Sequence, residues 1–297
     1  MSPAEFVQQL VNALSLGSIY ALLALGLSMV YGVFGMLNFA YGELVTICGY
    51  SMLFASHLGA PFVVMALVGI AAATVASVLM ELIAFRPLRN ASFMTLLFTS
   101  FAVSQLIENV LRQAISPRPK GVPVPDLFDN AIRLGPITIG LLPLITAGVG
   151  VVSLYGLTLF LRRSRAGLSM RAASQDFTTA RLVGVRANRV ISLAFAISGV
   201  LAGIAGVLWI SRTTAVAPTT GFTPILEAFI ASVIGGLGNL TGAVIGGFFL
   251  GTLEVFLQAT LPGTLLPFAQ AVSLLVIVGI LYVRPQGLMG TRQQVRV

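Results

Sequence analysis

Five carboxylates sit where an apolar chain has least reason to keep them. Glu43, Glu81, Glu108, Glu227 and Glu254 all lie within or at the ends of long hydrophobic runs. An ionisable side chain at membrane depth is costly and marks a functional candidate by default. The first stands in Asn38-Phe39-Ala40-Tyr41-Gly42-Glu43, at a break in an apolar run. Asn38 or Gly42 can start a helix at 43, placing Glu43 in the first turn, where the helix dipole favours a negative charge. Broken helices at membrane depth are tolerated where they line a cavity or pack within protein. The motif is therefore either a kink beside a translocation path or a cap in which Glu43 bonds backbone donors. Asn38, Tyr41 and Glu43 are the path candidates, joined by Glu254, which falls inside a span. Glu81 and Glu108 lie near predicted helix ends, where solvation accounts for them.

Other chemistries are poorly served. One histidine (His57) and one cysteine (Cys48) give no nucleophile with a base, no intramolecular disulfide and no metal cluster. No cofactor is expected. Gly235-Gly236-Leu237-Gly238-Asn239-Leu240-Thr241-Gly242 is glycine-rich, but no Gly-Lys-Ser/Thr follows, so it is not a nucleotide-binding loop. Gly235, Gly236 and Gly238 suit a tight turn. Gly242 with Gly246, and Gly247 with Gly251, fit the small-residue spacing of close helix contacts.

The basic residues cluster. Residues 162–189 hold seven arginines against Asp176, a net +6, whereas 116–133 carry three basic and two acidic residues. Ser174-Gln175-Asp176, followed by Phe177, Ala180, Arg181 and Leu182 and closed by Gly184, predicts a short amphipathic helix. Such a helix between two spans is a docking knob for a soluble partner, and it is longer than a topology signal requires.

These features need a frame to hold them, and the composition dictates which. Of 297 residues, 57% are hydrophobic and only 9% are charged. Soluble domains carry about 25% charged residues, so a soluble enzyme is excluded, as is a disordered chain. No charge occurs between Glu5 and Glu43, Glu43 and Glu81, 134 and 161, 190 and 211, 228 and 253, or 255 and 283. Each run can hold the roughly 20 apolar residues of a spanning helix. Period-two alternation is absent, which argues against a barrel. The net charge of +8 follows the positive-inside rule rather than a nucleic-acid surface. The N-terminus lacks a basic region before its apolar run, so the first span is expected to be retained.

The expected fold is a single all-α polytopic membrane domain over 1–297, with spans near 10–33, 62–85, 91–112, 136–161, 190–211, 224–237, 240–260 and 264–283. A broken or re-entrant element occupies 34–57. The basic segment 162–189 is placed in the cytoplasm and the loop 114–135 outside. Two topologies follow: eight spans with both ends inside, or nine with the N-terminus outside if 43–57 crosses. The eight-span form is preferred.

Leu25-Gly26-Leu27-Ser28-Met29-Val30-Tyr31-Gly32 with Asn38 to Glu43 resembles the first half of branched-chain amino-acid ABC permeases of the LivH type. Arg171-Ala172, Gln175-Asp176, Ala180, Gly184-Val185 and Ser198-Gly199-Val200-Leu201-Ala202-Gly203 are similar to the cytoplasmic loop and next helix of that family. Gly235 to Asn239 with Gly242-Ala243 and Gly246-Gly247 completes the pattern, which runs from about 8 to 288. Tyr41 departs from it, since histidine is common there. The resemblance implies an inner-membrane permease without an ATPase site of its own. Its partners would be a second, LivM-type permease, two cytoplasmic ATPases, a periplasmic binding protein and the bilayer, with no nucleic acid. Gln175, Asp176, Ala180, Arg181 and Gly184 would then couple it to an ATPase. Urea or short amides are alternative cargoes; a channel, a secondary carrier or a membrane scaffold are rival classes.

Overall fold

The computed structural model describes residues 3–89, 91–134, 137–175, 180, 186–284 and 287–289. Ten α-helices are described: α1 (Pro3–Phe34), α2 (Glu43–His57), α3 (Phe62–Met80), α4 (Phe93–Ala114), α5 (Leu141–Arg163), α6 (Arg165–Gln175), α7 (Ala187–Thr213), α8 (Phe222–Gly235), α9 (Leu240–Thr260) and α10 (Ala269–Val283). Seven helical stretches are long and apolar enough to cross a membrane, and Phe222–Gly235 is a shorter apolar helix. Together they make the expected eight, arranged around the broken element at 34–57.

The α1 helix is apolar on all sides, so it belongs in the centre rather than at a lipid face. Ile19, Ala21, Leu22 and Ala24 are fully buried, and α5, α7, α8 and α9 pack around it. In contrast, α3, α4 and α10 turn most of their surface outward. The C-terminal end of α3 passes into a π-helical turn, Glu81–Phe85. The loop before α5 contains two short antiparallel pairings. Lys120 and Gly121 pair with Val216 and Ala215, and Ala131–Leu134 pairs with Ile137–Gly140. The first pairing ties this loop to the α7–α8 connection.

The 30 residues of α1 from Glu5 to Phe34 span about 45 Å, so its ends reach opposite faces of the bundle. Gly32 and Val33 share a crevice with Leu161, Met170, Arg171 and Gly238, which places this end on the side of the basic segment. At the other end Gln9 and Asn12 share a cavity of about 370 Å3 with Leu142, Pro143, Arg212 and Gln258. Relative to the basic segment, the chain therefore fits the nine-crossing alternative, eight apolar helices plus 35–57, rather than the preferred form with both ends on one side. The N-terminal end lies opposite the basic segment, and 35–57, though broken, carries the chain back. The charge count could not show this, because no charge lies between Glu5 and Glu43.

Candidate functional site

The corner at 34–43 is built by a helix that stops early. At Gly35 φ is +73°, a left-handed conformation that glycine adopts without a Cβ penalty. Its N–H closes on the Tyr31 carbonyl at 2.8 Å. A single 3-10 turn, Phe39–Gly42, then leads into α2. The 15 residues of α2 extend only about 22 Å, so the corner lies well inside the protein. Gly42 is required there: a Cβ would come within 2.5 Å of the Gly221 carbonyl oxygen.

Three neighbours hold the corner. On α4, Ser104 Oγ donates to Glu43 Oε1 at 2.9 Å and Ser100 Oγ accepts from the Phe39 N–H at 3.3 Å. The Phe39 ring stacks on Phe101, centroids 4.4 Å apart, and reaches Phe229 of α8 at 5.7 Å. On α7, the Ser198 carbonyl accepts from the Tyr41 hydroxyl at 3.0 Å. Tyr41 is buried over Gly26, where a Cβ would meet its oxygen at 2.0 Å. Near the start of α8, the Gly221 N–H donates to Thr46 Oγ1 at 2.9 Å.

Neither Asn38 nor Glu43 acts as a side-chain helix cap. Both are buried, at 3% and 4% exposure, yet Asn38 Oδ1 and Glu43 Oε2 have no hydrogen-bond partner among the described residues. A buried polar atom left unpaired costs about 1–3 kcal/mol. The structure thus brings Asn38 and Glu43 to one corner with a polar atom to spare on each. Tyr41 is turned to the helix contact between α1 and α7.

Glu254 belongs to a different cluster. It accepts from the Tyr20 hydroxyl at 2.8 Å, while Glu227 Oε1 accepts from Gln270 Nε2 at 3.1 Å. These four side chains line a cavity of about 190 Å3 with Thr223 and Gln258. No sequence spacing links Glu227 to Glu254, since they come from separate helices.

Glu81 is not solvated, contrary to expectation. It is fully buried, forms an ion pair with Arg89 and accepts from Ser192 Oγ at 2.7 Å. Arg89 also bonds Asn188 Oδ1. The sequence hid this clasp because its members come from the end of α3, the connector after it and the first turns of α7. Glu108 pairs one turn along α4 with Arg112.

The helix expected over 174–183 falls largely outside the described residues, as do Asp176, Arg181 and Gly184. The described helix, α6, lies earlier and ends at Gln175; Ala180 is buried. Gly167 lets α6 fold back on α5, since a Cβ there would come within 2.5 Å of the Leu161 backbone.

The glycine cluster makes an α8–α9 hairpin. Gly236 and Gly238 hold φ of +102° and +80°, and Asn239 caps α9 by accepting from the Gly242 N–H at 3.0 Å. Gly235 and Gly242 face each other backbone to backbone, and Gly246 lies against the Ala231 carbonyl. Gly247 and Gly251 face the other way, against Ala21 and Gly17 of α1.

Comparison with known proteins adds the lineage. The chain is 34% identical to the high-affinity branched-chain amino acid transport system permease protein BraD of Pseudomonas aeruginosa, over 96% of each chain. It is 32% identical to LivH of Escherichia coli K12, again over 96% of each. It is 28% identical to the probable LivH of Methanocaldococcus jannaschii, over 95% of this chain and 91% of the relative. No solved structure matches. The model of the branched-chain amino acid transport system / permease component family matches residues 9–283; with that coverage and these relatives, the chain belongs to this family of membrane permeases.

Proposed function

We propose that this permease carries branched-chain or related hydrophobic amino acids across the bacterial inner membrane as one subunit of an ATP-driven importer. A periplasmic binding protein delivers the cargo, a second LivM-type permease completes the path, and two cytoplasmic ATPases drive it. The relatives BraD and LivH belong to branched-chain amino acid transport systems, which supports this cargo class over urea, short amides or an unassisted channel. The observation that carries the path reading is the pair of buried, unpaired oxygens on Asn38 and Glu43 beside α4. Asn38 stands in an otherwise apolar crevice of Leu27, Leu37, Phe39, Ile225 and Phe229, closed to water as it stands, and a passing polar group would meet its oxygen there as the crevice opens, with Glu43 next to it against Ser104.

The drive enters from the basic segment. Segment 162–189 docks on an ATPase through Gln175, Asp176, Ala180, Arg181 and Gly184, and its far end runs directly into α7. The Glu81–Arg89 clasp joins the first turns of α7 to the connector that starts α4. A push on the segment therefore reaches Ser100 and Ser104, the α4 residues that hold the corner.

Asn38→Ala and Glu43→Gln are expected to lower ATP-driven leucine uptake in proteoliposomes by about tenfold each, the size of one lost hydrogen bond in the transported state. Assembly with the partner subunits is expected to stay normal. Unchanged uptake by both variants would make the corner purely structural.

A further inference from the structure

A shallow groove, largely open to its surroundings, lies between the cytoplasmic end of α3 and the first turns of α7. Arg86, Arg189, Asn188 and Ser192 stand at its mouth, and Val78, Leu193 and Ala196 line it towards the bilayer. From Arg86 to Val78 and from Arg189 to Ala196 the walls run about 10–12 Å along their helices.

The two arginines are exposed, and neither has an acidic partner among the described residues. Arg89, three residues beyond Arg86, does: Glu81 neutralises it. The same clasp engages Ser192 and Asn188, so these side chains are already positioned. The α7 N-terminus adds to the positive field. Its cap residue is Arg186, its first turn contains no acid, and no side chain caps it. A helix N-terminus ordinarily favours negative charge. Here two guanidinium groups without an acidic partner among the described residues and an uncapped helix end converge above an apolar trough. A phosphate with acyl chains answers both halves of this surface, since basic pockets between membrane helices on the cytoplasmic side recognise anionic headgroups.

We propose that this groove is a binding site for an anionic phospholipid of the cytoplasmic leaflet. The phosphate sits between Arg86 and Arg189, and one acyl chain lies along Val78, Leu193 and Ala196. Occupancy braces the α3–α7 junction beside the Glu81–Arg89 clasp, so the lipid becomes part of the link between the cytoplasmic segment and α4.

The test is native mass spectrometry of the assembled transporter, equilibrated in mixed micelles with equal amounts of phosphatidylglycerol and phosphatidylcholine. Two arginines near a surface are expected to give the wild type about a 30-fold preference for phosphatidylglycerol at this site. Arg86→Gln with Arg189→Gln brings the preference close to one. Arg86→Lys with Arg189→Lys keeps most of it, and Arg118→Gln with Lys120→Gln on the outer loop leaves it unchanged. Retention of the preference by the Gln double variant overturns the proposal. So does displacement of the lipid signal by inorganic phosphate, which would make the pair a free-anion site. Loss of the ATPase subunits from the Gln variant with lipid retention unchanged also overturns it, assigning the arginines to the ATPase contact.

Discussion

Gly247→Leu is expected to remove nearly all folded permease from the membrane. A Cβ at Gly247 would lie 2.4 Å from both the Cα and the N of Ala21. These are backbone atoms on the central helix, so no rotamer change relieves the contact. The α1–α9 pair must separate, and the neighbouring Gly251–Gly17 contact separates with it. Overpacking a well-filled core costs about 1–3 kcal/mol when side chains can adjust; here they cannot, and in lipid close packing of small residues is the main force joining the helices. Gly279→Leu is the control. Gly279 lies on α10 with nothing within 4 Å of its built Cβ, so that variant is expected to accumulate and elute as the wild type does. Fluorescence-detected size-exclusion chromatography of tagged variants reads both. A normal Gly247→Leu peak would mean that α1 and α9 do not meet as described.

Glu81→Ala is the second large effect. The carboxylate is fully buried, and the Arg89 side chain is 16% exposed. Removing one partner of a buried pair leaves the other charge uncompensated and costs about 3–5 kcal/mol. Ser192 loses its acceptor in the same step. The thermal midpoint of the purified assembly is expected to fall sharply, and uptake to fall further than stability alone accounts for, because α4 loses its tie to α7. Glu81→Gln with Arg89→Gln is expected to recover part of the stability, since it removes both charges. Equal loss in the single and the double variants would show that the pair does not carry the junction.

The spans are legible in the sequence because lipid imposes a length. A charge-free apolar run of about 20 residues matches the thickness of the hydrocarbon core, and helices buried in soluble proteins are seldom that long and that apolar. The short α8 is marked by the glycine turn that follows it. The close-packing spacing of Gly242, Gly246, Gly247 and Gly251 is visible as well. What spacing does not reveal is direction: one pair faces α8 and the other faces α1, because adjacent residues on a helix point about 100° apart. The path corner is visible as a break, but its held geometry is not. Ser100, Ser104 and Ser198 look like ordinary serines, and their bonds to Phe39, Glu43 and Tyr41 connect residues 61 or 157 positions apart. Glu81 is misleading for the same reason. A carboxylate near a predicted helix end looks solvated until a distant serine and an arginine from the next connector close over it.

The most direct test measures leucine uptake and ATP hydrolysis together, in proteoliposomes containing this permease with its co-purified partners and a leucine-loaded binding protein. Uptake is expected to require ATP and the binding protein. Arg181→Glu combined with Gly184→Pro is expected to leave hydrolysis running while uptake falls to background. Leucine entry that proceeds without ATP, or full uptake by the double variant at normal expression, would contradict a permease driven through segment 162–189.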